Sequence, residues 1–446
     1  MPARPLATAI ALLLASATGR ADGDALRIVP SESPGWPQFR GPRRDAVSLE
    51  TNLLRSWPEA GPPLLWQVTN IGTGYSSPII VGDSIFVTGD IGEDLVLIAL
   101  DLDGREKWRA SQGRSWAKPY PGARATPTHD GGRLFLMNAH GRLACMDATT
   151  GAELWAVDVL ARFGARNIQW AISECVVVDR DRVIVCPGGP GTMIAALDKR
   201  TGDTAWSSGP LRFTRTQKSG GATLDPPAPD CDTAGYASPM LFTRGDRRLV
   251  AGAAGRHYFI ADADAGTLVW SHEIPTTWEV IGSIPVISGD SVIFSAPDKA
   301  ETRRFRLLSD PTGIQAQLVW QSPMDNCHGG LLAHGDQLFG SGYRRSRGWS
   351  QIDARTGQFV GGTLEIAGGS ALFADGRIYA FSEDGTLALL EPTPQGPRSA
   401  GTCRPPPPPG VRTPQRDAWA HPALFAGRLY IRNHAHLACY DVRARR

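Results

Sequence analysis

The sequence predicts an all-β protein that forms an eight-bladed β-propeller, with four antiparallel strands in each blade. Three observations predict this fold. Short apolar runs are bounded by turn residues, these runs recur along the chain, and the first and last repeats are incomplete. Residues 133–155 show the unit, in which three apolar runs are separated by turns at Asn138–Gly141 and Asp147–Gly151. Runs this short, bounded by Gly, Asn and Asp, indicate strands and are too brief for helices.

The recurrence has a period that suits propeller blades. Tryptophans that end successive repeats are 42 to 64 residues apart, at Trp66, Trp108, Trp155, Trp206, Trp270 and Trp320. The copies start at or near Tyr75, Ala125, Ser173, Tyr236, Gly282, His328, Ser370 and His421. A period near 40–50 with four strand-like runs per copy is typical of a β-propeller. Seven blades are the alternative, if the degenerate fifth or seventh copy is miscounted.

The two ends of the repeat array complement each other. The eighth copy stops after Leu437–Asp441 and lacks its last strand, whereas Leu64–Val68 is a last strand without a copy. Joined, the two segments complete a blade and close the ring, which removes the free strand edges of a linear array.

The N-terminus predicts export. Arg4 is followed by the apolar run Leu6–Ala17, a signal-peptide pattern that is too short for a permanent membrane anchor; the alternative is a hydrophobic, disordered start. We therefore divide the chain into a signal peptide (1–21), an extended lead-in pinned to the body (22–63) and the propeller (64–446). We expect a periplasmic or extracellular protein without a transmembrane segment, and not a lipoprotein, because the first cysteine is Cys145.

Composition and charge narrow the classes of function that the protein can have. The 446 residues carry a net charge of +2 with mixed signs, which gives no electrostatic case for a nucleic-acid partner. Seven cysteines leave at least one unpaired in the chain, and no CxxC spacing suggests zinc or a redox motif. Cys175 and Cys186 flank a predicted hairpin and face each other by symmetry, so either a cross-strand disulfide or two core thiols fits.

One repeat resembles the repeat of a known protein family. Leu197-Asp198, Gly202 and Trp206 resemble the repeat of pyrroloquinoline-quinone-type (PQQ) propellers. The resemblance implies that the Asp and Gly shape a turn and that the Trp packs between blades. Three further segments are similar to an exported bacterial branch of PQQ-binding-like repeat proteins, namely Gly35–Pro42, Tyr75–Pro78 and Asn326–Gly330.

The resemblance allows an enzymatic reading, a PQQ- and calcium-dependent alcohol or sugar dehydrogenase. In such enzymes the quinone lies on the propeller axis over calcium, with a carboxylate base and often a vicinal disulfide. Glu174 and Asn326 are the candidate metal ligands, since calcium prefers carboxylate and amide oxygens. The chain has no adjacent cysteines, lacks the extra length of typical members and shows no convincing Asp base, so we assign no catalytic residue.

We favour a binding or scaffold protein, expected to be a monomer, with PQQ and calcium required only by the enzymatic alternative. An axial funnel is predicted to bind a small polar or glycan ligand or a protein segment, through Tyr75, Arg124, Trp170, Glu174, Tyr236, Asn326, His328 and His421. The simpler alternative is that these side chains satisfy one another. A second alternative is a scaffold similar to the outer-membrane assembly propeller, a lipoprotein whose anchor cysteine is missing here.

Three irregular segments complete the prediction. Leu211–Gly235 and Pro392–Arg416 are expected to be mobile loops, and the latter contains the stiff stretch Pro405–Pro409. Trp116–Tyr120 is a candidate cover for the mouth of the funnel.

Overall fold

The computed structural model describes residues 25–298, 300–310, 313–344, 348–363, 365–405 and 417–444. The predicted signal peptide (1–21) and nearly all of the stretch Pro405–Pro409 lie outside these ranges. The regular secondary structure of the described residues consists of strands, apart from one short helix, α1 (Val159–Arg162). No helix among them is long and apolar enough to cross a membrane.

The strands form eight antiparallel blades of four strands each, as predicted, together with one separate hairpin and one strand that extends the sheet of blade 4 to five strands. Two strands precede the blades in sequence, β1 (Leu26–Ile28) and β2 (Leu64–Val68). Blade 1 comprises β3 (Ile79–Val81), β4 (Ser84–Ile91), β5 (Asp94–Asp101) and β6 (Glu106–Arg114), and blade 2 comprises β7 (Thr128–Asp130), β8 (Arg133–Met137), β9 (Arg142–Asp147) and β10 (Glu153–Asp158). Blade 3 comprises β11 (Val177–Asp179), β12 (Arg182–Val185), β13 (Ala195–Asp198) and β14 (Thr204–Ser207), and it is followed by the hairpin β15 (Arg212–Gln217) and β16 (Thr223–Cys231).

The remaining blades follow in the same order. Blade 4 comprises β17 (Met240–Arg244), β18 (Arg247–Ala253), β19 (His257–Asp262) and β20 (Leu268–Glu273), and blade 5 comprises β21 (Val286–Ser288), β22 (Ser291–Ala296), β23 (Glu301–Asp310) and β24 (Gly313–Ser322). Blade 6 comprises β25 (Leu332–His334), β26 (Gln337–Ser341), β27 (Trp349–Asp353) and β28 (Phe359–Thr363), and blade 7 comprises β29 (Gly369–Ala374), β30 (Arg377–Ser382), β31 (Leu387–Glu391) and β32 (Arg398–Cys403). Blade 8 comprises β33 (Ala423–Phe425), β34 (Arg428–Asn433) and β35 (His436–Asp441), and it takes β2 as its last strand.

The ring closes as the incomplete repeats predict. Strand β2 pairs with β35, with Trp66 opposite Cys439 and Val68 opposite Leu437. The first strands of most neighbouring blades contact one another, so they surround the axis. Middle strands such as β9 are buried on both faces, whereas the outer strand β10 alternates between exposed and half-buried residues. Burial on both faces explains why the sequence shows short continuous apolar runs.

Tryptophans join neighbouring blades. The Trp155 indole Nε1 donates a hydrogen bond to the Lys199 carbonyl at 3.2 Å, in the turn that begins with Asp198. The Asp198 carboxylate accepts hydrogen bonds from the backbone amides of Arg200 and Thr201, at 2.7 and 3.1 Å. The indoles of Trp66, Trp206 and Trp320 likewise donate a hydrogen bond to a backbone carbonyl of the next blade. The packing role that the repeat implied is therefore present in the structure.

Blade 5 shows what happens without this turn. Its repeat has lost the Asp and Gly, and Trp270 of blade 4 packs instead against Phe305 of blade 5, with ring centroids 5.0 Å apart. An aromatic contact thus replaces the turn contact between blades 4 and 5.

The lead-in runs along the inner strands of the ring. Strand β1 pairs with β17, the first strand of blade 4. Farther along, Trp36 forms a bridge with Ile80 in blade 1, and Val47 forms one with Phe373 in blade 7. The lead-in is therefore built into the axis of the propeller, rather than only pinned to its outside.

The structure agrees with one of two open alternatives and corrects one expectation. The register of β11 and β12, in which Val177 pairs with Ile184, continues to Cys175 opposite Cys186, and both cysteines are buried free thiols, which is the second of the two alternatives that the sequence left open. Leu211–Gly235 was expected to be a mobile loop, yet most of it forms the hairpin of β15 and β16. Within that hairpin Arg215 donates a hydrogen bond to the Asp230 carboxylate.

Candidate functional site

A cavity of 740 Å³ opens at the end of the ring where the first strands of the blades begin. Its floor includes the buried side chains of Thr126, Cys175 and Ser238. Its rim carries Tyr120, Trp278 and Tyr343, whose exposed fractions are 49%, 43% and 38%. Exposed aromatic rings around a concave opening are a feature of ligand sites.

Six of the eight predicted funnel residues line this cavity: Tyr75, Arg124, Trp170, Tyr236, His328 and His421. Glu174 and Asn326 do not line it. The location of the six agrees with the expected funnel, and their role in binding a ligand stays a prediction.

Trp419 is the centre of an aromatic cluster on one wall. Its ring lies 5.0 Å from Tyr75, 5.3 Å from Tyr120 and 4.5 Å from His328 between centroids. The His328 ring is stacked on the indole, with an angle of 20° between their planes. Sequence analysis missed Trp419, although its place two residues before His421, at the start of the eighth repeat, is a signal that could have found it.

A second aromatic cluster lies on the opposite side of Arg124. Trp170 lies 6.1 Å from Tyr236 and 6.4 Å from Trp278 between ring centroids. The Tyr236 hydroxyl accepts a hydrogen bond from the Trp170 backbone amide at 3.3 Å. The turn of the β15–β16 hairpin supports the rim here, since the Gly220 amide donates to the Thr277 carbonyl at 2.7 Å.

Arg124 connects the two clusters through the backbone. Its guanidinium donates to the carbonyls of Trp170, Gly122 and Tyr120, at 2.9, 2.6 and 2.6 Å. The same group lies over the Tyr75 ring, 6.0 Å from its centroid. Burial lowers the pKa of Arg124 from its ordinary value. Of the predicted cover segment, Tyr120 lines the cavity while Trp116 is buried.

The lead-in supplies part of the floor. Phe39 lines the cavity and packs edge-on against His421, 4.8 Å away between ring centroids. The buried Arg40 guanidinium lies 3.5 Å from His421 Nδ1, and His421 Nε2 lies 3.2 Å from the His328 carbonyl. Burial, with the Arg40 charge, lowers the pKa of His421 to about 3. His421 is therefore neutral, and it accepts from Arg40 and donates to the carbonyl.

His328 lies between a thiol and a carboxylate. Its Nε2 is 3.6 Å from Cys327 Sγ, and its Nδ1 is 3.6 Å from Glu383 Oε1. Burial opposes the charged imidazole, but Cys327 and Glu383 outweigh it and hold the pKa of His328 well above its ordinary value. All three side chains line the cavity.

Glu174 and Asn326 are engaged elsewhere. Glu174 Oε2 accepts a hydrogen bond from the Cys186 amide at 2.9 Å, and burial raises the pKa of Glu174 to about 7. Asn326 Oδ1 accepts from the Gly330 amide at 2.9 Å, and its Nδ2 donates to the Ser341 carbonyl at 2.8 Å. Asn326 therefore shapes the backbone of its own loop.

These contacts do not fit the proposed calcium and PQQ site. Calcium takes six to eight oxygen ligands. The Asn326 amide oxygen is already occupied by protein donors, and neither Asn326 nor Glu174 faces the cavity. Within the described ranges, no group of three or more His, Cys, Asp or Glu side chains is arranged to hold a metal ion.

Comparisons with known proteins agree with this fold. The family model described as outer membrane protein assembly factor BamB matches residues 47–188 and 93–360, which is more than half of the chain. The chain belongs to this family. No curated protein matches the chain by sequence.

Solved structures with the same fold include a BamB protein and two dehydrogenases. BamB from Moraxella catarrhalis matches with a TM-score of 0.60 and 15% identity, over 85% of this chain and 99% of that one. Quinohemoprotein alcohol dehydrogenase from Comamonas testosteroni matches with a TM-score of 0.59 and 11% identity, over 93% and 81%. A europium-containing methanol dehydrogenase matches with a TM-score of 0.58 and 13% identity, over 90% and 89%. At these identities the likeness shows the fold, and fold does not decide function.

Proposed function

We propose that this chain is an exported PQQ-like propeller that binds a saccharide in the cavity at the mouth of the ring. The observation that carries the proposal is the pair of aromatic clusters, around Trp419 and around Trp170, that face one cavity. The apolar face of a sugar ring packs on such indoles. Their broad surface and polar edge suit a ligand that has both an apolar face and hydrated hydroxyl groups.

Polar groups between the clusters match a polyhydroxylated ligand. The Glu383, Asp417 and Asp298 carboxylates line the cavity, and carboxylate oxygens accept hydrogen bonds from hydroxyl groups. The volume of 740 Å³ lies within the range of small-molecule sites. A mono- or oligosaccharide therefore suits both the walls and the size.

The charges favour a neutral ligand over a polyanion. Arg124 directs its donors to backbone carbonyls, and Arg344 pairs with Asp298 at 3.2 Å. Both arginines that line the cavity thus already have acceptors, so an anionic ligand would have to displace these contacts. PQQ, which carries several carboxylates, is disfavoured by this arrangement.

The family match favours a second candidate function, a scaffold of the cell envelope. The solved BamB structure is matched over 99% of its length. In this alternative the rim aromatics Tyr120, Trp278 and Tyr343 would contact an extended segment of a partner protein, since exposed aromatic residues are enriched in interfaces.

A glycan microarray probed with the labelled protein tests the proposal. We expect bound glycans for the wild type, loss of the signal in Trp419→Ala, and retention in Phe359→Ala, which removes an exposed aromatic ring that does not line the cavity. Parallel thermal shifts with PQQ and calcium test the dehydrogenase alternative, since a ligand of the native state raises Tm. A calcium-dependent PQQ shift, without glycan binding, would overturn the saccharide proposal.

A further inference from the structure

The loop before blade 6 brings the Cys327 thiol and the His328 imidazole into a row with the Glu383 carboxylate of blade 7. Cys327 Sγ lies 3.6 Å from His328 Nε2, and Glu383 Oε1 lies 3.6 Å from His328 Nδ1. Each ring nitrogen therefore faces a different partner, and all three groups border the cavity. A nucleophile next to a base that a third group orients is the geometry of covalent catalysis.

Several contacts fix this row. The Asn326 side chain holds the loop through the Gly330 amide at 2.9 Å, and Gly330 has a φ of 68°, which favours glycine. Stacking on Trp419 fixes the plane of the His328 ring. The Glu383 backbone amide donates to the Gly368 carbonyl at 2.8 Å, which fixes the backbone from which the carboxylate extends.

The surroundings also suit an attacking sulfur. Arg344 borders the same part of the cavity, and Tyr343, Asp298 and the neighbouring Cys327 raise its pKa. Positive groups beside a cysteine stabilise negative charge on the sulfur, and the thiolate is the nucleophilic form. Cys327 therefore has a cationic neighbour in Arg344, and His328 becomes a second one when it holds the thiol proton.

We propose that Cys327 is a nucleophile that accepts the acyl group of a carboxylic ester bound in the cavity, with His328 as its base and Glu383 as a positioning residue. The inference rests on the proposed function in one respect: the natural ester would be an O-acylated saccharide.

The reaction balances with water as the only co-substrate. The thiol proton first passes to His328 Nε2, and Sγ then attacks the ester carbonyl as the thiolate beside the imidazolium. The C–O bond breaks, and the leaving alkoxide takes that proton to become the alcohol. Water then gives a proton to His328 and attacks the thioester, which releases the carboxylic acid and returns the proton to the sulfur.

Cys175 provides an internal control because it borders the same cavity. Its Sγ accepts a hydrogen bond from the Thr126 amide at 3.2 Å. Its contacts among the described residues include no histidine. A reagent that enters the cavity thus meets one thiol with an imidazole and one without.

The test uses p-nitrophenyl acetate with the full-length protein, following nitrophenolate release and acetylation of each cysteine by peptide mass spectrometry. We expect release with acetylation or turnover at Cys327, abolished by Cys327→Ala and at least ten-fold slower in His328→Gln. Glu383→Gln should slow the reaction and move its pH profile to lower pH, because the carboxylate raises the pKa of His328. Equal acetylation of Cys175 and Cys327, no reaction at Cys327, or an unchanged rate in folded His328→Gln would overturn the proposal.

Two readouts separate this inference from the proposed function, because p-nitrophenyl acetate carries no sugar and reports on the thiol alone. The wild type is measured for glycan binding on the array and for acetylation at Cys327, and Phe359→Ala, which does not line the cavity, should match the wild type in both. Circular dichroism melting checks that each variant is folded. A wild type that binds glycans but shows no acyl transfer therefore counts against the nucleophile alone, and acyl transfer without glycan binding counts against the saccharide proposal alone.

Discussion

Trp155 of blade 2 lies directly on Gly202 of blade 3. A Cβ atom at Gly202 would be 2.7 Å from the indole Cε3, and the residue has a φ of 76°. Gly202 is thus required twice, by the left-handed backbone and by the indole surface. The spacing of Gly and Trp in the sequence therefore reflects a contact between blades.

We expect Gly202→Ala to lower the free energy of unfolding by about 3 kcal/mol, the sum of left-handed strain and overpacking. The matched control is Gly92→Ala, since Gly92 has a φ of 61° but nothing within 4 Å of an added Cβ. The control should lose only about 1 kcal/mol. Urea denaturation measures both, and equal losses would show that the indole contact contributes nothing.

His421 should make the protein sensitive to acid. Its pKa is about 3 in the folded protein and 6.5 in an unfolded chain, so the unfolded state binds the proton more tightly. The stabilisation is complete above pH 6.5 and is lost at about 1.4 kcal/mol per pH unit as the pH falls toward 3. His421→Gln can keep both hydrogen bonds without taking up a proton, so the stability of the wild type relative to the variant should fall in acid. Parallel pH profiles would contradict this account.

Glu174 should have the opposite effect, because it lowers the stability of the protein as the pH rises. Its pKa is raised from 4.5 to about 7, so unfolding releases a proton between these values and stability falls as the pH rises. Glu174→Gln removes that loss and should be more stable than wild type at pH 8 by about 3 kcal/mol, but not at pH 4. Thermal unfolding at both pH values checks the sign. Stabilisation of the wild type by calcium, absent in the variant, would instead restore Glu174 as a metal ligand.

Arg44 should hold the lead-in in the axis of the ring. Its buried guanidinium donates to the Cys175 and Val176 carbonyls, at 2.6 and 3.2 Å. Arg44→Met leaves these acceptors without a partner and should cost about 3 kcal/mol. Arg27→Met is the control, since Arg27 lies in the same lead-in and is exposed; it should change stability by less than about 0.5 kcal/mol. Trypsin should also cut the Arg44 variant in the lead-in faster than the control.

The ring was predictable because its signals are local. Most blades repeat the same turn, and the closing strand Leu64–Val68 is recognisable as the missing part of the last repeat. The starts of the inner strands, such as Tyr75 and His421, were predictable as funnel residues because every inner strand begins at one end of the ring.

The remaining features depend on contacts between distant segments. Arg44 meets Cys175 across 131 positions, and nothing in the periodicity predicts that the lead-in enters the axis. Glu174 was assigned to the funnel, but its side chain binds the Cys186 amide, and strand position alone does not decide that direction. Glu383 belongs to the turn of another blade, so its approach to His328 is visible only in the folded ring.

Isothermal titration of the full-length protein with soluble tetrasaccharides, starting with cellotetraose, xylotetraose, mannotetraose and chitotetraose, tests the central claim most directly. The account predicts that at least one of them binds at a single site, with affinity reduced at least ten-fold in Trp419→Ala and unchanged in Phe359→Ala. Equal affinity in wild type and a folded Trp419→Ala variant, or no heat with any of the four alongside an empty glycan array, would contradict it.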